Sequence, residues 1–332
     1  MCIRDRVLAD PAVEFVIVAG RPDDLAALLR RALQSERHVL CVYPPGPTPD
    51  IAYEADMIRQ DSGRVLLPLL PGALHPAVRR LAEFVRRPGK EGAASPVGAF
   101  RLVEMQPAAP AGVDGKAAFP GWDMLRALGG EIAEVSALAD GETAQPGEAV
   151  LASGRFTAGG LFQAMYLPGG DAELRLAVIG DRGRAELVFP AGPHGPAFLD
   201  WRDELGELRE EAWDAWDPWP ALAARFEAAT AGAAGSPSWL DAVRGLELDD
   251  AARRGVERRR SSVLDYQEAS EEVGFKGTMT LVGCGLLWAL LLLLAASYWM
   301  PALRWVIVGL LVLFLGMQLL RYLIPRQKGG KE

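Results

Sequence analysis

Two hydrophobic rhythms alternate along the first ninety residues. Residues 14–19, EFVIVA, form a short β-branched apolar run of the kind a parallel strand shows when both faces are buried. DDLAALLRRALQSE then places Leu25, Leu28, Leu29, Ala32 and Leu33 at helical spacing, with Asp23 and Asp24 at the end where the helix dipole favours negative charge. HVLCVY reads as the next strand, PDIAYEADMIRQDSG as a helix, RVLLPLL as a strand and HPAVRRLAEFVRRPG as a closing helix. Right-handed crossovers make such strands neighbours in a parallel sheet. Residues 7–90 are therefore expected to form the second half of a doubly wound dinucleotide-binding domain. Its first half, with the glycine-rich phosphate turn and the acidic ribose-binding residue, would lie upstream.

The rhythm changes after residue 90. GAFRLVEMQPA, EIAEVSALADG, EAVLASGRFTAGGLFQAMYLPG, AELRLAVIGDRGRAELVFPAG and AFLDWRDELGE are β-rich runs separated by Gly, Pro and Asp. They predict an α+β domain over 91–235 with a mostly antiparallel sheet, in which GDRG at 180–183 is a hairpin turn rather than a phosphate loop. Trp213, Trp216 and Trp219 recur at three-residue spacing before a helix, where they either cover a sheet edge or form a platform for a sugar ring. Residues 236–272 predict a charged helix with an apolar stripe at Leu240, Val243, Leu246, Leu248 and Ala252.

From Gly277 to Leu303 there is no charged residue. TMTLVGCGLLWALLLLLAASYW alone exceeds the roughly 20 residues a helix needs to cross a bilayer, and LRWVIVGLLVLFLGMQLLRYLIP supplies a second span after Pro301. Residues 277–325 thus predict two transmembrane helices in a tight hairpin, with 326–332 as a basic tail. RRGVERRR and Lys276 precede the pair, and Arg321, Arg326, Lys328 and Lys331 accompany or follow it, against Arg304 alone in the turn. The positive-inside rule then puts the body and the tail in the cytoplasm, with the lipid bilayer as a partner. Met1 to Arg6, MCIRDR, back-translates to a transposon-end sequencing adapter and is set aside as an artefact.

Composition narrows the chemistry. A net charge of −8 over 332 residues, with one short basic run, argues against a nucleic-acid partner. Cys2, Cys41 and Cys284, like His38, His75 and His194, are scattered without ligand spacing, so no metal site is legible and a reducing compartment fits.

The stretch DPAVEFVIVAGRPDDLAALLRRALQSERHVLCVYPP resembles the middle of the Gfo/Idh/MocA oxidoreductases, which read D-x-V-D-a-V-x-I-A-T-P and later A-G-K-H-V-L-x-E-K-P at this point. The similarity continues through GWDMLRALGGEIAEVSAL, VIGDRGRAELVF and SPSWLDAVRGLELDDAARRGVERRR, and so spans most of residues 7–260. It implies an α/β architecture: a partial Rossmann-type parallel sheet, an α+β domain with a mostly antiparallel sheet that could pair two copies, and a substrate held between them. It also implies hydride transfer between NAD or NADP and a sugar or cyclitol derivative, with Ala19, Gly20, Arg21, Tyr43 and Pro44 beside the cofactor.

The same resemblance exposes a departure. The E-K-P positions read Val42, Tyr43 and Pro44. Matching Asp123 to the aspartate of H-x-x-D puts Pro120 at the histidine position and Lys116 at an earlier aspartate position, so the usual proton-handling residues are replaced. Tyr43 is then either a substitute acid/base, its phenol activated by a cation, or a residue that fills a vacated place. His75, at the carboxyl edge of the sheet, is either catalytic or a helix cap. Tyr43, His75 and Asp123 are the candidate catalytic residues, and the function is either a membrane-anchored NAD(P)-dependent oxidoreductase or a binding protein that keeps the fold without the chemistry.

Overall fold

A computed structural model describes residues 7–85, 95–107, 111–113, 116–141, 148–167, 173–202, 205–258 and 262–263. The chain divides into Met1–Asp265 and Tyr266–Glu332, and every described residue belongs to the first unit. The expected hairpin at 277–325 and the tail lie outside the described residues, as do the first six. Among the described residues, no helix is long and apolar enough to cross a membrane.

The first layer is a parallel sheet ordered β1-β2-β3, from β1 (Phe15–Val18), β2 (His38–Val42) and β3 (Leu66–Leu69), joined by α1 (Pro22–Gln34) and α2 (Pro49–Ser62). Leu25, Leu29, Ala32 and Leu33 of α1 are buried with Val39 and Cys41 of β2, as the helical spacing requires. Burying a leucine fully stabilises by about 1.5–3 kcal/mol, so this face fixes the helix on the sheet. Pro68 is tolerated in β3 because that strand is at a sheet edge. The expectation that 14–19 is buried on both faces is corrected: Phe15 is 56% and Ile17 52% exposed. β1 is the other edge of this sheet, and on one face Phe15 meets the ring of Phe226 at 5.7 Å.

The second layer has nine strands: β4 (Phe100–Gln106), β7 (Ile132–Ala139), β8 (Val150–Phe156), β9 (Leu161–Tyr166), β10 (Leu174–Gly180), β11 (Arg184–Phe189), β12 (Ala197–Arg202), β13 (Leu208–Trp213) and β14 (Ser262–Val263). Their order is β13-β12-β11-β10-β4-β9-β8-β7-β14, and β5 (Ala111–Val113) with β6 (Lys116–Ala118) forms a separate ribbon. All neighbours are antiparallel except β4 and β9. GDRG is the β10–β11 hairpin turn, closed by the Gly180 N–H donating to the Gly183 carbonyl at 2.9 Å. α3 (Pro76–Val85), α4 (Trp122–Gly129) and α6 (Trp239–Arg258) bury one face, while Leu138, Leu161, Met165 and Phe198 are exposed.

Helix α6 ties the two layers together. Trp239, Ala242, Val243 and Leu246 join the core of the parallel sheet, and Leu248, Ala251, Ala252 and Val256 join that of the large sheet. The predicted stripe is right at four of its five positions; Leu240 points out. The helix ends at Arg258, earlier than expected, and Ser262–Val263 pairs with Val135 and Glu134 of β7. The basic run is also less of a solvated face than its charges suggest, because Arg253 is buried and its Nη2 donates to the Pro47 carbonyl at 3.0 Å.

Candidate functional site

Open α/β sheets bind ligands beyond the carboxyl ends of their strands. Here that edge meets the start of α4, the β11–β12 connection, the segment before α5 (Pro218–Thr230) and the middle of α6, around a cavity of about 200 Å³. Tyr43, His75 and Asp123, scattered in sequence, all line it. So does Pro120, at the position where the resemblance expects a histidine.

Tyr43 leaves β2 one residue past its end, and its hydroxyl is buried against Gly245 of α6. Among the described residues Tyr43 Oη has no hydrogen-bond partner. Burial, reinforced by the charges of Asp249 and Asp123, pushes the phenol well above its ordinary range, and Arg126 and Arg253 do not offset this. The two guanidinium groups are outweighed and do not activate the phenol as a substitute base: the hydroxyl stays protonated and is a donor.

His75 is 1% exposed. Its Nδ1 accepts the Ala77 N–H at 3.1 Å, which satisfies an otherwise unpaired donor at the start of α3. The ring proton therefore sits on Nε2, which has no partner among the described residues. Phe189 and Trp216 clamp the ring edge-on at 4.9 and 4.6 Å between centroids. Burial, with His194 adding repulsion, lowers its pKa to about 4, so the ring is neutral at pH 7. His75 is thus a helix cap whose neutral ring lines the cavity, with Nε2 buried behind its surface.

Asp123 opens α4, where its carboxylate accepts the Ala73 N–H at 3.2 Å. Gly72 makes this approach possible, since a Cβ there would lie 2.5 Å from Oδ2. Burial raises the Asp123 pKa against the backbone hydrogen bonds that hold the carboxylate. Behind the wall, Asp249 accepts from Trp122 Nε1 at 2.6 Å and from the Phe119 N–H at 3.1 Å, and burial raises it to about 7.

Sequence reasoning missed His194, Asp241 and Gly245, which line the same cavity, with Trp216, from about 150 to 200 residues downstream of Tyr43. Trp216 was one of three tryptophans in a periodic run, and the structure divides them. Trp213 packs on the large core, Trp216 faces His75, and Trp219 is exposed. Three-residue spacing signalled a common face, but β13 ends at Trp213 and α5 starts at Pro218, so no element spans all three.

Ala19, Gly20 and Arg21 are exposed at the carboxyl end of β1 and are not among the cavity's lining residues. A dinucleotide pyrophosphate needs backbone N–H groups at a glycine-rich helix start. The three helices that follow the parallel strands begin with Pro22, Pro49 and Pro76, and Arg21 turns its side chain to Asp24 at 3.3 Å. The described residues therefore do not fit a pyrophosphate. They also hold no group of three or more His, Cys, Asp or Glu that could bind a metal.

No family model and no curated protein matches the chain. Solved structures do. Aldose-aldose oxidoreductase from Caulobacter crescentus, complexed with glycerol, aligns with a TM-score of 0.64 at 18% identity, covering 78% of this chain and 82% of that one. A putative myo-inositol dehydrogenase from Sinorhizobium meliloti aligns at 0.57 and 18%, over 79% and 84%. Levoglucosan dehydrogenase, complexed with NADH and levoglucosan, aligns at 0.61 and 15%, over 79% and 83%. These neighbours are oxidoreductases of the Gfo/Idh/MocA type, and their fold is the fold of the described residues.

Proposed function

We propose, from the fold shared with these sugar-acting oxidoreductases, that the cavity binds a neutral, sugar-like ring and holds it without oxidising or reducing it. The observation that carries this reading is a pair of donors, Tyr43 Oη and His75 Nε2, that belong to residues lining the cavity and are buried without partners among the described residues. Each buried unsatisfied group costs about 1–3 kcal/mol, a cost that a ligand oxygen would relieve. Among the described residues no lysine or arginine lines the cavity, which favours a neutral ligand over an anion. Trp216 offers an apolar face against which a ring can pack. Oxidising a hydroxyl needs a group that takes its proton, and neither Tyr43, raised by burial, nor His75, lowered to about 4 with Nδ1 engaged, is suited to that at pH 7.

A second reading rests on Asp123, whose carboxyl lies on the cavity wall with a raised pKa, as a general base requires. The chain would then be an NAD(P)-dependent oxidoreductase, with the dinucleotide held by residues outside those described. Titration of glucose and myo-inositol, alongside an assay for nicotinamide reduction, separates the two. Saturable binding without reduction supports the first reading; reduction that Asp123→Asn abolishes supports the second.

In this proposal the body is carried at the cytoplasmic face of a membrane by the apolar segments at 277–325, oriented by the basic residues on either side. The exposed face of the nine-stranded sheet, with Leu138, Leu161, Met165 and Phe198, is available for self-association.

A further inference from the structure

A second cavity, of about 400 Å³, adjoins the first and shares Leu70, Asp123 and Asp241 with it. We infer that the two are subsites for one ligand of two linked rings, a neutral disaccharide or glycoside, with the second ring between Arg79, Arg126 and Ser236. The inference rests on the binding of a sugar-like ring in the first cavity.

Size is the first argument. Small-molecule sites usually measure ~300–1,000 Å³. The first cavity is below that range and suits a single ring. The adjoining space brings the site into the range, and the two parts share three lining residues.

Chemistry is the second. The Arg126 side chain is 9% exposed, with Nη1 donating to Asp241 Oδ1 at 2.8 Å and Nη2 to Glu131 Oε1 at 2.5 Å. Its Nε, and the Oε2 of Glu131, are buried without partners among the described residues. Arg126 and Glu131 both line the second cavity, and this unmatched donor and acceptor lie beneath its wall, a polar lining that suits hydroxyl groups, each of which donates and accepts. Arg79 adds an exposed guanidinium and Ser236 a hydroxyl. Three carboxyl groups, Asp123, Glu131 and Asp241, face two guanidinium groups here, which disfavours a phosphorylated second unit.

The wall is also built rather than incidental. Arg225 holds the loop that carries Ser236 and Pro237 by donating to the carbonyls of Ala233, Gly235 and Pro237 at 3.2, 2.6 and 3.1 Å. That leaves Ser236 at a fixed place opposite α4.

Calorimetric titration of the full-length chain with glucose and myo-inositol as one-ring probes, and with maltose, cellobiose and trehalose as two-ring probes, tests this. At least one two-ring probe is expected to bind about ten-fold tighter than glucose, the worth of one or two net hydrogen bonds. Arg79→Ala, at an exposed position, and Ser236→Trp, which fills the second cavity, should each remove that preference while glucose affinity stays unchanged. Equal affinity for one and two rings, or a preference that survives Ser236→Trp, would overturn the two-ring inference and leave the single-ring reading standing. Failure of every probe to bind would remove both.

Discussion

The Tyr43 hydroxyl occupies the space that a side chain at Gly245 would need: a Cβ built on Gly245 falls inside contact distance of Tyr43 Oη. Residues 202 positions apart are thus fitted to each other across the junction of the two layers. A mid-helix glycine ordinarily costs about 1 kcal/mol relative to alanine. Gly245→Ala should recover that and lose about 1–3 kcal/mol to overpacking, so the variant is expected to be less stable. In a Tyr43→Phe background the oxygen is gone, and the same change should become neutral or stabilising. Denaturant unfolding of the four proteins reads the coupling; additive effects would show that the hydroxyl is not what Gly245 accommodates.

Stability against pH should contain two opposed contributions. The folded state raises Asp249 to about 7 from 3.8, so its protonated form is favoured; that contribution is complete below about pH 4 and is lost as pH rises through 7. His75 is lowered to about 4 from 6.5, so its neutral form is favoured; that contribution is complete above about pH 6.5 and is lost as pH falls through 4. Relative to wild type, Asp249→Asn should lose Tm as pH falls from 6.5 to 4. His75→Gln should lose Tm relative to wild type as pH rises from 4 to 7. Thermal unfolding across this range checks both signs, and a pH-independent difference for either variant contradicts its assignment.

Much of the parallel layer was legible because helical and strand periodicities report burial directly. The apolar positions of α1 and the strand neighbours follow from spacing alone, and so does the GDRG turn of the larger sheet. Exposure of Phe15 and Ile17 did not, because a β-branched run looks the same at an edge as in the middle of a sheet. The cavity was half legible. Tyr43 stood out as a departure from an expected pattern, Asp123 as a match to it, and His75 by its place just past a strand end. Gly245, Trp216 and Asp241 reach the same place through long-range packing, which no local pattern encodes.

The apolar segments at 277–325 give a separate expectation. The full-length protein should sediment with membranes and resist carbonate and high salt, and protease outside intact cells should leave the body uncut. Release by salt alone would contradict a transmembrane anchor.

The unpartnered donors are the centre of the proposal, and removing one oxygen tests them most directly. Glucose and myo-inositol should be titrated calorimetrically into the full-length protein and into Tyr43→Phe. At least one is expected to bind the wild type saturably and to bind Tyr43→Phe about ten-fold more weakly, the loss of one buried hydrogen bond. Equal affinity in the two proteins, or no saturable binding to the wild type, would contradict a ligand held by the Tyr43 hydroxyl.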